Sequence, residues 1–263
     1  TNETDISLLL DVLSNTKSLL CVPLIAKGEV IGVINITNKK HDKLFNQKDL
    51  EFITFEGNDG SGKSSALQTV KQELLEMGYD VVYTREPGGS YIAEKIRELI
   101  LDNDNMGMDP KTEALLYAAS RREHITKTII PALEAGKIIL CDRFLDSSLA
   151  YQGFARELGV ENVLNMNQFA TEGLYPDLTI LVCTHPEIGM TRIKKDERDM
   201  DRLEHEKMPF HLKVYEGYLT IADLFKDRVV VVNGEQTKQE VLDTVKNVLY
   251  PFIKERMGWH MKN

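Results

Sequence analysis

The sequence predicts an α/β domain in which a parallel sheet carries helices on both faces, preceded by a small, separate α+β piece. Three observations predict it. From residue 52 onward, apolar strand-like runs alternate with helix-length amphipathic segments. A glycine-rich turn joins the first of these strands to the first helix, and the opening fifty residues follow a different pattern.

The chain opens on Thr1 in place of Met, as a processed or excised piece of a longer protein would. Residues 18–25 (SLLCVPLI) and 29–37 (EVIGVINIT) are β-rich runs on either side of Ala26-Lys27-Gly28, the pattern of a hairpin with glycine in its turn. The following NKKHDKLFNQKDLEF reads as a polar loop entering a short helix capped by Asn46. FITFE (52–56) starts the second pattern. Strands are then expected at VVYT (81–84), KIILCD (137–142), DLTILVC (177–183) and RVVVV (228–232). These runs are continuous rather than alternating, as strands covered on both faces must be. The domain boundary therefore falls near residue 51, giving units 1–51 and 52–263.

Composition excludes several classes of function. With 263 residues, 42% of them hydrophobic, the chain can build a sizeable core. Acidic residues outnumber basic ones by 41 to 32, for a net charge of −9, the wrong sign for wrapping a phosphate backbone, so no nucleic-acid partner is expected. No apolar stretch approaches the roughly 18 residues of a membrane span, and TNETDISLLLDVL lacks the basic start of a secretory signal; a cytoplasmic protein is expected. Cys21, Cys141 and Cys183 lie far apart without metal-ligand spacing and read as small buried hydrophobes.

The most informative segment is Gly57-Asn58-Asp59-Gly60-Ser61-Gly62-Lys63-Ser64, which satisfies GxxxxGK[ST] directly after an apolar strand and directly before a helix. Glycines let successive backbone N–H groups turn inward around phosphate oxygens, and the helix offers its positive N-terminus. Lys63 then neutralises β/γ-phosphate charge, while the Ser64 hydroxyl faces Mg²⁺. This establishes a nucleoside triphosphate but no acceptor. The absence of an NKxD guanine-reading motif disfavours a GTPase.

Four more segments bear on the acceptor: TREPGG (84–89), LLYAASR (115–121), Asp142-Arg143-Phe144 and the charged run 192–207. At the carboxyl ends of parallel strands their arginines would converge on the crevice where ligands bind. Singly, each has a plainer reading. TREPGG can be a turn with its own ion pair, Arg121 an exposed helix residue, Asp142-Arg143 a local ion pair, and 192–207 a solvated helix face.

FEGNDGSGKSS, TREPGG, LLYAASR, DRFLDSSLAYQG and ERDMDRLE, in this order and spacing, resemble bacterial thymidylate kinases over residues 52–263. The resemblance implies a P-loop kinase-type sheet and transfer of the ATP γ-phosphoryl group to dTMP, with Mg²⁺ and commonly as a homodimer. It assigns Gly57–Ser65 to the donor phosphates, namely Gly57, Asn58, Asp59, Gly60, Ser61, Gly62, Lys63, Ser64 and Ser65, with Ser64 and Asp142 at the metal. Asp59 also reaches the sugar 3′-hydroxyl, and Arg143 grips the acceptor phosphate. Tyr117 stacks on thymine, Arg121 bonds the base, and Tyr151 crowds a ribose 2′-hydroxyl beside Gln152. Arg85, Pro87, Ser147 and Ser148 complete the acceptor side. Residues 189–207 are the lid, in which Arg198 meets transition-state charge and Arg192 contacts adenine or its phosphates.

Departures from the family pattern are Asn58, Ser120 and Phe144. Ser120 removes a carboxylate that could orient Arg121, which puts base affinity in question. Residues 1–51 are similar to the C-terminal part of a GAF domain. Two other readings remain open at this point: a related kinase for another nucleotide or nucleoside, and a regulatory ATP-binding module attached to the GAF-like piece.

Overall fold

The computed structural model describes residues 19–26 and 29–37 as backbone, and residues 51–195 and 199–257. The Lys27-Gly28 turn, the helix capped by Asn46 and the lid arginine Arg198 lie outside the described residues.

Leu19–Ala26 (β1) and Glu29–Thr37 (β2) pair antiparallel, with the register slipping between Leu24 and Ile25. They belong to a unit spanning Thr1–Asp49; the second unit is Leu50–Asn263.

In the second unit Phe52–Glu56 (β3), Val81–Arg85 (β4), Ile138–Asp142 (β5), Leu178–Cys183 (β6) and Val229–Asn233 (β7) form one parallel sheet in the order β4-β5-β3-β6-β7. Every residue of β3 is buried, as its central place requires. Its side chains alternate between two cores. Ile53 and Phe55 meet Leu140 and Ile180, packed beneath the helices Lys63–Glu76 (α1) and Lys238–Met257 (α9). Phe52 meets Ile139 and Leu181 on the other face, under Pro110–His124 (α3) and Met208–Leu224 (α8). Among the described residues the other α-helices of this unit are Tyr91–Leu101 (α2), Ile130–Glu134 (α4), Leu145–Ser148 (α5), Val160–Thr171 (α6) and Pro186–Lys195 (α7). Among the described residues no helix is long and apolar enough to cross a membrane.

Two local devices position side chains. Asp109 caps α3 by accepting from Lys111 N and Thr112 N at 3.0 Å, with Pro110 in the first turn; this fixes the start of the helix that carries Tyr117 and Arg121. After α5 the chain continues as a wide π-helical turn, Leu149–Ala155, which contains Tyr151 and Gln152. The chain leaves β3 for β4, returns through β5 beside β3, and only then builds β6 and β7 on its other side. The loops at the carboxyl ends of β3, β4 and β5 therefore gather where the strand order reverses.

Candidate active site

Residues 57–62 turn between β3 and α1. Gly60 and Gly189, on α7, touch so closely that a Cβ on the first would lie 2.2 Å from the Gly189 carbonyl oxygen, and a Cβ on the second 2.4 Å from the Asp59 carbonyl oxygen. Both obstacles are backbone, so neither can step aside. Gly189→Ala is expected to displace the loop and raise the KM for ATP about 10- to 100-fold, the scale of an ångström-sized misplacement; steady-state kinetics against ATP will measure it.

Behind the loop, the buried Asn58 accepts from Thr184 N at 3.3 Å. Asn58 and Gly57 lie outside the cavity lining, which runs over Asp59–Ser65 on this side.

That cavity measures about 690 Å³, within the usual range for a small-molecule site. From β4 and α2 it receives Arg85, Pro87 and Arg97, and from α3 Tyr117 and Arg121. Asp142, Arg143, Ser147, Tyr151 and Gln152 follow from the β5 side, while Arg192, Lys195 and Lys238 line the donor side. Asp201, Leu203 and Glu204 close one wall. Basic side chains predominate, although the whole chain is acidic.

Arg143 is central to the acceptor side. Its backbone takes φ +70°, a left-handed conformation uncommon for arginine, while its N–H donates to Phe55 O at 2.9 Å. The guanidinium pairs with the Asp59 carboxylate, donates to Tyr218 Oη at 3.0 Å and Ser147 Oγ at 3.3 Å, and lies over the Tyr151 ring at 5.3 Å. Tyr151 Oη donates to the other Asp59 oxygen at 2.9 Å. The adjacent Asp142 instead accepts from the Ser64 hydroxyl at 2.7 Å, so the local Asp142-Arg143 ion pair is not formed.

Burial pushes the Asp59 carboxyl up, but Arg143 and Lys63, helped by the Tyr151 hydroxyl, outweigh it and hold the pKa at about 2. Asp59 is thus an ionised acceptor at neutral pH. Lys63 is pulled below the usual lysine range by burial and by Arg143, against the attraction of Asp142 and Asp59. Two cations crowded in this way favour an anion between them.

Arg121 is 1% exposed, far from the surface helix residue it could have been. Its Nε donates to Glu86 Oε2 at 2.8 Å, and its two terminal nitrogens reach Asn167 Oδ1, the Phe144 carbonyl at 3.0 Å and Ser148 Oγ at 3.1 Å. Ser148 consequently stands behind Arg121 and outside the cavity lining. Glu86 also bonds His124 Nδ1 at 2.9 Å, and His124 Nε2 meets Thr84 Oγ1 at 2.6 Å. The carboxylate that Ser120 lacks is therefore supplied by Glu86, while Ser120 Oγ accepts from Gly88 N at 3.2 Å. Arg85 pairs with Glu94 at 3.1 Å and Glu86 with Arg121, so the ion pair internal to TREPGG is not formed.

Several lining or supporting residues escape sequence reasoning. Arg97 donates to the Pro87 carbonyl at 2.9 Å, and burial, then Arg85, pulls its pKa down against Tyr117, Glu94 and Asp201. Its only signal was an arginine on the amphipathic stretch KIREL. Glu56 is fully buried at the end of β3; a carboxylate closing an otherwise apolar strand was the available hint. The part of the run that follows α7, residues 199–207, is not a solvated helix face: Arg202 and Glu204 are buried.

Ser64 and Asp142 give two hard oxygen donors beside Lys63. This suits Mg²⁺, which takes one or two protein oxygens and leaves the rest of its shell to water and phosphate. A phosphate cradle, a metal-competent oxygen pair and several guanidinium groups thus meet in one cavity.

The sequence profile described as thymidylate kinase matches residues 55–245. The chain belongs to the thymidylate kinase family. It is 52% identical over 209 residues to the thymidylate kinase of Halalkalibacterium halodurans, covering 79% of this chain and 97% of that one. With the thymidylate kinase of a Geobacillus species it shares 53% over 191 residues, 72% of this chain and 91% of the relative. The crystal structure of the thymidylate kinase from Ehrlichia chaffeensis superposes with a TM-score of 0.63 at 33% identity, spanning 76% of this chain and 98% of that one. Residues 7–55 match the profile of the GAF domain.

Proposed function

We propose a division of labour within the cavity for the reaction of the family, in which the chain transfers the γ-phosphoryl group of ATP to dTMP and gives dTDP and ADP. The observation that carries it is the lining of one cavity by Lys63, Arg143 and Arg121 together. Donor cradle, acceptor-phosphate ligand and base reader then face one shared cavity.

An oxygen of the acceptor phosphate attacks the γ-phosphorus in line as the bond to the β–γ bridging oxygen breaks. The attacking oxygen is already ionised, so no side chain need remove a proton, and positioning with charge neutralisation suffices. Lys63 and the backbone of the loop hold the donor phosphates. Ser64 and Asp142 would hold Mg²⁺, which when bound would neutralise β- and γ-phosphate charge. Arg143 grips the acceptor phosphate, with Arg97 and Arg85 adding positive charge along that wall.

Ionised Asp59 accepts from the sugar 3′-hydroxyl. Tyr151, fixed on Asp59, crowds the 2′ position. Tyr117 stacks on the base, while Arg121, held by Glu86, and Gln152 bond its polar edge. Arg192 donates to the carbonyls of Gly60 at 3.2 Å and Gly234 at 2.8 Å, which supports a place for it beside adenine. Arg198, outside the described residues, retains the transition-state role that the resemblance gives it.

The same reading takes residues 1–51 as part of a GAF-like domain, on the profile match, and assigns the enzyme to the cytoplasm. It pairs two copies of the chain through apolar surface; Tyr91, Leu115 and Phe169 are exposed to 81%, 59% and 89%.

ADP release measured across dTMP, dUMP, UMP, CMP, AMP, GMP and thymidine tests the acceptor assignment. dTMP is expected to exceed the ribonucleotides in kcat/KM by at least about 100-fold, given that a site built for a particular hydrogen-bonding edge leaves buried partners orphaned by the wrong base. A purine or ribonucleotide winner would overturn it.

A further inference from the structure

Behind the cavity wall lies a buried charge cluster whose hydrogen bonds, among the described residues, do not run to the donor cradle. Glu113 is 0% exposed on α3, one turn before Tyr117. Its Oε1 accepts from Gln152 Nε2 at 2.9 Å, and its Oε2 from Arg202 Nη2 at 2.7 Å. Arg156 reaches both oxygens, at 3.3 and 3.1 Å, and continues to Glu206 Oε1 at 2.6 Å. Burial pushes the Glu113 carboxyl up, but Arg156, the Gln152 amide and Arg202 outweigh it and keep it ionised.

The second end of this cluster is the strap 199–206. Arg202 is 1% exposed, and its Nε donates to the Ile100 carbonyl at 2.7 Å while its backbone N–H donates to Leu101 O at 3.2 Å. Asn103 Nδ2 reaches the Met200 carbonyl at 3.1 Å. Between these attachments the strap turns on Asp201, whose Oδ1 accepts from Leu203 N and Glu204 N at 2.9 and 3.0 Å. The attachments press Asp201, Leu203 and Glu204 into the cavity wall.

We propose that Glu113 is a positioning residue: its single carboxylate clasps the strap through Arg202 and the acceptor wall through Gln152, so that the strap shuts only over a correctly built acceptor pocket. The proposal rests on the reading of the cavity as an ATP and dTMP site. Two links support it. Gln152 lines the cavity and Glu113 does not, so Glu113 acts through the amide it holds. Arg202 contributes no atom to the lining either, yet the residues on both sides of it do.

Breaking one partner of a buried ion pair leaves the other uncompensated, so the strap should detach rather than shift slightly. A detached strap admits water, which attacks the γ-phosphorus in place of the acceptor phosphate; the products are then ADP and inorganic phosphate. Loss of the clasp is therefore read as ADP formed in excess of dTDP. A purely structural ion pair would lower the melting temperature without changing that ratio.

The test uses the full chain with Glu113→Gln and, separately, Arg202→Lys, which keeps the charge but cannot span Ile100 O and Glu113 at once. Each is assayed at a temperature where circular dichroism shows it folded, and Arg202→Lys carries the test alone if Glu113→Gln does not fold. Expected is a fall in kcat of about tenfold or more, with at least two ADP released per dTDP and the KM for ATP within about threefold of wild type. A kcat within threefold of wild type overturns the proposal, and so does a larger loss in which ADP and dTDP stay equal. Wild-type protein that makes no dTDP would instead sink the reading of the cavity itself.

Discussion

Arg143→Ala is expected to lower kcat/KM for dTMP by about 10²- to 10³-fold, the usual cost of removing one preorganised donor from developing charge, while the dissociation constant for ATP stays within about threefold. The separation follows from geometry. Arg143 is tied to Asp59, Tyr218 and Ser147; of these only Asp59 belongs to the phosphate loop, and no hydrogen bond of the guanidinium runs to Gly60–Ser64. Isothermal titration with ATP and initial rates against dTMP report the two effects independently. Arg143→Lys should restore only part of the loss, because an ammonium is a point charge and cannot fork between Tyr218, Ser147 and an acceptor phosphate. The left-handed backbone at this position burdens all three side chains alike, so strain does not confuse the comparison. Turnover of dTMP within threefold of wild type for Arg143→Ala would remove it from the acceptor phosphate.

The sheet was legible in the sequence for a reason that does not extend to the site. β3, β5 and β6 are short, continuously apolar runs, and burial on both faces demands that composition locally. The phosphate loop is equally local: eight consecutive residues contain both the backbone freedom and the charge. The acceptor side is assembled from contacts distant in the chain. Arg143 bonds Asp59, 84 residues away, and ignores Asp142 beside it.

Arg121 finds its carboxylate on Glu86, 35 residues upstream, so Ser120 gave no sign of how Arg121 is oriented. The run 192–207 balances acidic against basic residues, which locally reads as solvated. Arg202 is buried because its partner Glu113 lies 89 residues earlier. Local composition reveals which residues are charged; only the fold decides which charges are buried together.

Through Glu56, the stability of the chain is expected to fall as pH rises from about 4.5 to about 7. Its carboxyl receives Phe144 N at 2.7 Å, Ser147 N at 3.3 Å, Ser147 Oγ at 2.5 Å and Tyr218 Oη at 3.1 Å, all from elements that build the acceptor wall. Burial, and then the nearby charge of Asp146, which is locked to Arg228, push its pKa from 4.5 to about 7, against the opposing pull of Ser147, Arg143 and Phe144 N. The folded chain therefore binds this proton more tightly than the unfolded chain does. Below pH 4.5 both states hold it and the site imposes no cost. Between 4.5 and 7 the unfolded state ionises first, so unfolding becomes easier, and above 7 the loss is complete at roughly 3 kcal/mol. Glu56→Gln keeps the shape and an acceptor oxygen but cannot ionise. The difference in unfolding free energy between wild type and Glu56→Gln, from urea titrations at several pH values, cancels the other titrating groups. It should drift against wild type by roughly that amount across this window. A difference that stays flat from pH 4.5 to 7.5 would show that Glu56 ionises normally, and that Phe144, Ser147 and Tyr218 are held by a permanent carboxylate.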